Sequence, residues 1–329
     1  MDVYTTAIAV SILIYIAIGN FAGRGVRNLD DYYVAGRRAP TLLIVGTLVA
    51  SVMSSTMFLG EAGFAYDTQA GPYVLFPQAA AVGYVLGALF FGRYLRRSRT
   101  NTLAEFFGRR FNSKRVQALA GITIVLALGG YLLAVTQGAA ILLAQLTDLS
   151  YVQGLIVAWL SYTMFTMYSG SRGVILTDTL MFLLFTIASA AAVVFLVRDL
   201  GGVPTIIEEL VSIEQKKDLL SWHGMIGPGT EWPTPMDYLI WAIVIDVSWM
   251  LVYMVSPWQS SRHQMARSEH VVLRSATLAA MFVALLQVMV YGMGGIINIG
   301  NPEISPPESA TIWACLLYTS PSPRDERRY

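Results

Sequence analysis

The sequence is short of charge: Asp, Glu, Lys and Arg make up 13% of its 329 residues, about half the roughly 25% usual in soluble domains. Cysteine is almost missing. Cys315 stands alone, so the chain can form no internal disulfide. Its three histidines, His223, His263 and His270, lie in connecting segments without metal-ligand spacing, and no metal site is expected other than one for a transported ion. Catalytic signatures are also absent: the chain has no G-x-S-x-G elbow, no Gly-rich phosphate loop ending in Lys-Ser/Thr, no H-E-x-x-H and no glutamate–histidine di-metal pattern. An enzyme, an ATP-driven pump or a membrane hydrolase is therefore not expected, and no cofactor is called for. The net charge is +1, with no basic stripe interleaved with aromatics, so nucleic acid is not an expected partner.

What the chain has instead is apolar length, with 55% of its residues hydrophobic. Eight segments approach the roughly 20 residues that a helical membrane span needs, at about 3–21, 41–64, 73–95, 117–145, 151–168, 173–198, 237–257 and 272–298. The first follows only Met1 and Asp2 and has no small-x-small cleavage pattern near Gly19–Gly23, so it reads as a retained helix rather than a signal peptide. The expected class is an all-α polytopic membrane protein in the lipid bilayer.

Basic residues set the orientation. With the N-terminus outside, the cytoplasmic segments hold Arg24, Arg27, Arg37, Arg38, Arg93, Arg96, Arg97, Arg99, Arg109, Arg110, Lys114, Arg115, Arg172, Arg262, Arg267 and Arg274, and the outer ones hold Arg198, Lys216 and Lys217. Sixteen against three is a strong positive-inside bias and places the chain in a cytoplasmic (inner) membrane. Among the outer segments, Val203 to Ile213 carries Ile206, Ile207, Leu210 and Ile213 on one helical face, which suits a helix lying on the membrane surface or a lid.

Polar residues inside spans are the informative ones, because lipid leaves no polar group unsatisfied. In the second span Ser51, Ser54, Ser55 and Thr56 cluster at mid-length, with Gly46 before and Gly60 and Gly63 after. Such a stretch can interrupt the helix and free carbonyls for a small hard cation such as sodium; alternatively each hydroxyl bonds one turn back and packs two helices. Asp246 lies mid-span in the seventh. It can stay charged beside a cation or cationic solute, carry a proton, or be hydrogen-bonded between helices. Asp178, one turn into the sixth span, either lines a cation exit or acts near its helix start and pairs with Arg172. Gln78 and Gln137 can hydrogen-bond a solute or a neighbouring helix. Glu61, near the outer end of the second span, receives no role.

Four motifs resemble those of the sodium/solute symporter family, the proline, pantothenate and sugar carriers among them. Asp30-Asp-Tyr-Tyr-Val-Ala-Gly-Arg37 is similar to the acidic-aromatic run that introduces the first core helix, and Ala50-Ser-Val-Met-Ser-Ser55 resembles the broken-helix motif Ala-Ser-x-x-Ser. Tyr168-Ser-Gly-Ser-Arg-Gly-Val-Ile-Leu-Thr-Asp178 is similar to a tyrosine, double-glycine, Thr-Asp segment, with Ser169-Gly170 for the glycine pair and Leu176 where tryptophan is common. The run from Gln259 to His270 resembles the cytoplasmic linker after the seventh span, with altered spacing.

The resemblance covers about residues 25–300 and implies an inverted-repeat (5+5) transporter fold after one extra helix. Within a transmembrane domain over 1–314, the extra helix is 3–21, the first repeat 41–198, and 237–298 begins the second, so the fold is cut short after about eight helices. By the same resemblance, sodium is held by the carbonyls of Ala50 and Met53, and Asp178 lies on its exit path. Ser51, Ser54 and Ser55 line the cavity, and solute contacts come from Val52, Thr56, Met57, Gln78 and the seventh span near Asp246. Gln137 is a further cavity candidate. Val52 and Met57 stand where sugar carriers have polar groups, which counts against a sugar. The implied activity is sodium-coupled symport of a small organic solute by alternating access. A symporter-like module of a sensor protein and a proton-coupled carrier using Asp246 are the competing readings.

The last stretch, Cys315 to Tyr329, packs two prolines and charged residues into a run with no periodicity. It resembles translated sequencing-adapter sequence, an artefactual end in place of the span that opens at Ala310–Ala314. A genuine disordered tail is the alternative.

Overall fold

The computed structural model describes residues 3–319 and is helical almost throughout. Among the described residues there is no strand beyond one isolated bridge, Ala39 to Ala266. Six helices among the described residues are long and apolar enough to cross a membrane: Val3–Gly23, Ala70–Ser98, Lys114–Leu146, Gly170–Asp199, Pro235–Met265 and Glu269–Gly300. Two further expected spans are also helical. Tyr151–Met167 has 17 residues, and the second span is interrupted, as described below.

Local chemistry fixes where the helices start. Ser113 accepts from the Val116 amide at 3.3 Å and opens Lys114–Leu146, and Ser150 and Gln153 form a reciprocal capping box before Tyr151–Met167. Gly170–Asp199 begins at a glycine with φ of +53°, where a Cβ would lie 2.5 Å from the Tyr32 carbonyl oxygen. Of the usual glycine pair, the chain keeps the member whose backbone needs it.

The chain divides into two compact units. The first comprises residues 1–54, 82–184 and 251–281, and the second 55–81, 185–250 and 282–329. The first contains all sixteen basic residues assigned above to cytoplasmic segments, and the second contains Arg198, Lys216 and Lys217.

Small residues bring helices together in the first unit. A Cβ on Gly19 would lie 2.5 Å from the Phe165 carbonyl oxygen, and one on Gly46 would lie 2.5 Å from Thr179 Oγ1 and 2.7 Å from Thr179 Cα. Glycine permits such backbone approach where apolar burial supplies no drive between helices. The segment after the seventh span, expected as a cytoplasmic linker, contains the helix Pro257–Met265 with Gln259, Ser260, His263 and Gln264 buried. Gln259 Nε2 donates to the Tyr84 hydroxyl at 2.8 Å, and that hydroxyl donates to the Leu48 carbonyl at 3.2 Å. Gln264 Nε2 donates to Thr100 Oγ1 at 3.0 Å. A polar segment is accommodated inside protein in this way, with side-chain amides bound to buried groups.

In the second unit the helix Val203–Ser212 docks on protein. Ile206 and Leu210 are buried with Ala70 and Leu219, whereas Ile207, expected on the same face, is 49% exposed. Lys216 Nζ donates to the Tyr66 carbonyl at 2.8 Å and lies 3.7 Å from the Tyr66 ring centre. The Asn298 side chain donates to the same carbonyl at 2.9 Å. A helix from Ala310 to Thr319 continues past Ala314, where the sequence changes character; residues 320–329 of the expected tail lie outside the described residues.

Candidate functional site

The second span runs as α-helix from Thr41 to Ala50, and residues 51–54 leave the helix. Helix resumes at Ser55, passes through a π-helical stretch at Thr56–Glu61 and ends with Ala62–Asp67. Unwound and π-helical turns within a span recur where backbone must serve a ligand. Hydrogen bonding around the break is specific. The Ser54 amide, which in a regular helix would donate to Ala50, donates to the Val52 carbonyl at 2.7 Å, and the Met53 amide turns back to Val49 at 3.1 Å. Ala50 thereby loses its helical donor. Both sequence readings of the serines hold in part, because the helix breaks and the Ser51 hydroxyl also bonds back to the Thr47 carbonyl.

Three side chains of the first unit brace the broken segment. Tyr131 donates from its hydroxyl to the Ser51 carbonyl at 3.3 Å and is hydrogen-bonded to the Ser54 side chain. Its ring stacks on Trp258 with centres 5.3 Å apart and planes 4° from parallel. Asp178 accepts a short hydrogen bond from the Thr47 hydroxyl. Arg262 lies 3.6 Å from Asp178 Oδ2 and donates to Ser51 Oγ at 3.4 Å. The sequence offered Arg172 as the partner of Asp178, and that pairing is corrected: Arg172 donates to the Gly25 carbonyl, which its own helix end brings within reach. Arg262 and Tyr131 are functional candidates that sequence reading missed. Both sit far along the chain from the serines, and nothing local marks them.

The other candidates fall as follows. In the first unit, Val52 is buried and Ser51, Met53 and Ser54 are half-buried, while Gln137 is exposed on Lys114–Leu146. In the second unit, Met57 is buried, Ser55 and Thr56 are half-buried, and Gln78 bonds back to the Val74 carbonyl at 3.3 Å, leaving its buried Oε1 without a partner. Asp246 is half-buried on Pro235–Val255 and close enough to Glu61 and Tyr73 to interact electrostatically with both. Glu61, which the sequence left without a role, accepts a hydrogen bond from the Tyr73 hydroxyl. The structure thus groups Ser51, Ser54 and Asp178 in one unit and Glu61 and Asp246 in the other.

The profile of the sodium:solute symporter family matches residues 32–304. The chain is 28% identical over 189 residues to the sodium/pantothenate symporter of Escherichia coli, covering 56% of this chain and 39% of that protein. It is 24% identical over 318 residues to the sodium/proline symporter of Salmonella typhimurium, covering 90% of this chain and 59% of that one. A solved structure of a Na+-coupled sialic acid symporter in a substrate-bound outward-open state superimposes with a TM-score of 0.78 at 18% identity, over 97% of this chain and 66% of that one; the likeness is one of fold. The chain spans about two-fifths of the length of the pantothenate symporters it matches. With the family profile covering most of the chain and its long apolar helices laid out on that fold, this is a multi-pass membrane protein that belongs to the sodium:solute symporter family.

Proposed function

We propose that the chain carries the ion-binding part of a secondary transporter that couples sodium entry to uptake of a small organic solute by alternating access. The observation that carries this reading is the interruption at residues 51–54, where Ala50 loses the amide donor it would have in a helix. Sodium prefers hard oxygen ligands, and an unwound stretch inside a span supplies carbonyls without burying an extra charge. The carbonyls of Ala50 and Met53 are the proposed ligands, with Ser51, Ser54 and Ser55 lining the polar path.

Asp178 and Arg262 give that path a cytoplasmic end. The guanidinium of Arg262 is a tethered cation lying 3.6 Å from the carboxylate and 3.4 Å from Ser51 Oγ, so an ion leaving past Asp178 competes with it. The sixteen-to-three bias of basic residues along the sequence supports an N-terminus outside an inner membrane. In this reading the spans from Thr41 to Asp199 form the first five-helix repeat, and those from Pro235 to Gly300 open the second.

The test is sodium-stimulated uptake by cells expressing the whole gene product. Replacing Ser54 and Ser55 together by leucine is expected to abolish the sodium-stimulated component while leaving membrane insertion intact. Unchanged uptake would remove the site from this segment.

A further inference from the structure

Trp241 sits at the centre of an aromatic group in the second unit. Its ring centre lies 4.8 Å from that of Trp232, 5.9 Å from Tyr238, 6.1 Å from Phe64 and 6.2 Å from Tyr73. Rings at such distances pack edge and face together, which is ordinary in a protein core. The neighbours make this group different. Tyr73 donates to Glu61, and Asp246, on the helix that bears Trp241 and Tyr238, interacts electrostatically with Glu61, Tyr73 and Tyr238.

An interfacial aromatic belt accounts for Trp232 and Tyr238 near the start of Pro235–Val255, but it has no use for two carboxylates. Neither Glu61 nor Asp246 pairs with a basic side chain among the described residues. Lys216 is engaged at Tyr66, and Arg198 and Lys217 are exposed. In the whole unit twelve acidic residues face those three basic ones among the described residues. Carboxylates inside a span are costly unless something of opposite sign is bound beside them, and the faces of tryptophan and tyrosine rings favour the same sign of charge. The indole N–H of Trp232 is, in addition, buried without an acceptor, so a solute bearing a hydroxyl or carboxylate oxygen next to its charge would satisfy it.

We propose that the aromatic group around Trp241, flanked by Glu61 and Asp246, recognises the ammonium group, protonated or quaternary, of a solute with no net negative charge. The proposal rests on the transport reading and narrows it. It also separates this chain from the pantothenate symporters it matches, because the pantothenate anion would meet two uncompensated carboxylates.

Equilibrium binding to the purified whole gene product, followed by tryptophan fluorescence, tests it with choline and tetramethylammonium as cationic probes and pantothenate as the anion. Choline is expected to give a saturable change and pantothenate none. The Glu61→Gln/Asp246→Asn pair is expected to weaken choline binding by at least about tenfold, as is Trp241→Leu. Trp222→Phe, at a residue 58% exposed, serves as the control and is expected to leave binding unchanged. Because Glu61→Gln and Asp246→Asn are nearly isosteric, loss of binding with an unchanged melting temperature is assignable to charge. Absence of saturable choline binding, binding undiminished in the carboxylate variants, or preferential binding of pantothenate would each overturn the proposal. Sodium-stimulated uptake of an anion would leave symport standing and sink only the ammonium site; uptake of choline independent of sodium would do the reverse.

Discussion

The two units of this molecule treat charge in opposite ways. In the one built from residues 1–54, 82–184 and 251–281, four carboxylates have basic partners: Asp30 with Arg37, Glu105 with Arg109, Glu269 with Arg97, and Asp178 with Arg262. In the other, Glu61 and Asp246 neighbour each other and aromatic rings, with no basic side chain paired to either among the described residues. A paired charge in lipid holds a structure together, and breaking the pair costs stability. An uncompensated one lowers stability until a ligand arrives. The difference separates the region where breaking a charge pair should cost stability from the region where removing a charge should cost solute binding.

The largest effect is expected in the first unit, at Gly46. A valine there would place its Cβ 2.5 Å from Thr179 Oγ1 and 2.7 Å from Thr179 Cα, against backbone that cannot step aside. Thr179 adjoins Asp178, so the clash also moves the carboxylate away from the broken helix. Overpacking of this kind costs about 3 kcal/mol, readable as a lowered thermal midpoint in detergent. Gly129→Val is the control, because a Cβ there would meet nothing within 4 Å; equal losses at both positions would mean that helix propensity rather than packing is being measured.

Next in size is the contrast between the two kinds of carboxylate. Removing one partner from a fully buried pair costs about 3–5 kcal/mol. Asp178 and Arg262 each keep 17% of their side-chain surface exposed, which screens the remaining charge, and Arg262→Met is expected to cost about 2 kcal/mol. Adding Asp178→Asn should restore part of that, since no charge is then left alone. Asp246→Asn has no pair to break and is expected to leave ligand-free stability unchanged or raised by up to about 1 kcal/mol. If Asp246→Asn destabilises as much as Arg262→Met, the two units do not differ in the way described.

Much of the fold is legible in the sequence, and so is the helix break on which the candidate site rests. Apolar length locates the long membrane-crossing helices because lipid imposes it, and the serines with Gly46 mark where the second span breaks. The partners of that break are another matter. Arg262 lies 211 residues from the Ser51 it contacts, in a segment that reads as a cytoplasmic linker. Arg172, six residues from Asp178, is the nearer guess and the wrong one, because its helix start at Gly170 aims it at Gly25. Glu61 fails for the same reason: Tyr73 and Asp246 give it meaning, and both lie on other spans. Local pattern encodes which residues enter the membrane, whereas pairing across helices depends on packing angles that periodicity does not carry.

The smallest expected effect is a pH dependence in the second unit, where Lys216 is the one buried base among the described residues. Burial lowers its pKa from 10.5 to about 8, with Asp67 acting in the opposite direction. The folded value is therefore below the unfolded one. Between about pH 8 and 10.5 the undocked segment binds more protons than the docked one, so docking strengthens as pH rises through that window and is weakest below it. Lys216 holds the segment to the Tyr66 carbonyl, and the neighbouring turn ties it again through the Gly71 amide, which donates to the Leu219 carbonyl at 3.1 Å. Tryptic cleavage after the exposed Lys217, normalised to a free peptide, should accordingly slow by about twentyfold between pH 7.5 and 9.5. In Lys216→Met the normalised rate should stay flat, because no ammonium remains to lose its proton. A slowing of equal size in that variant would move the titration to another group and leave Lys216 a purely structural anchor.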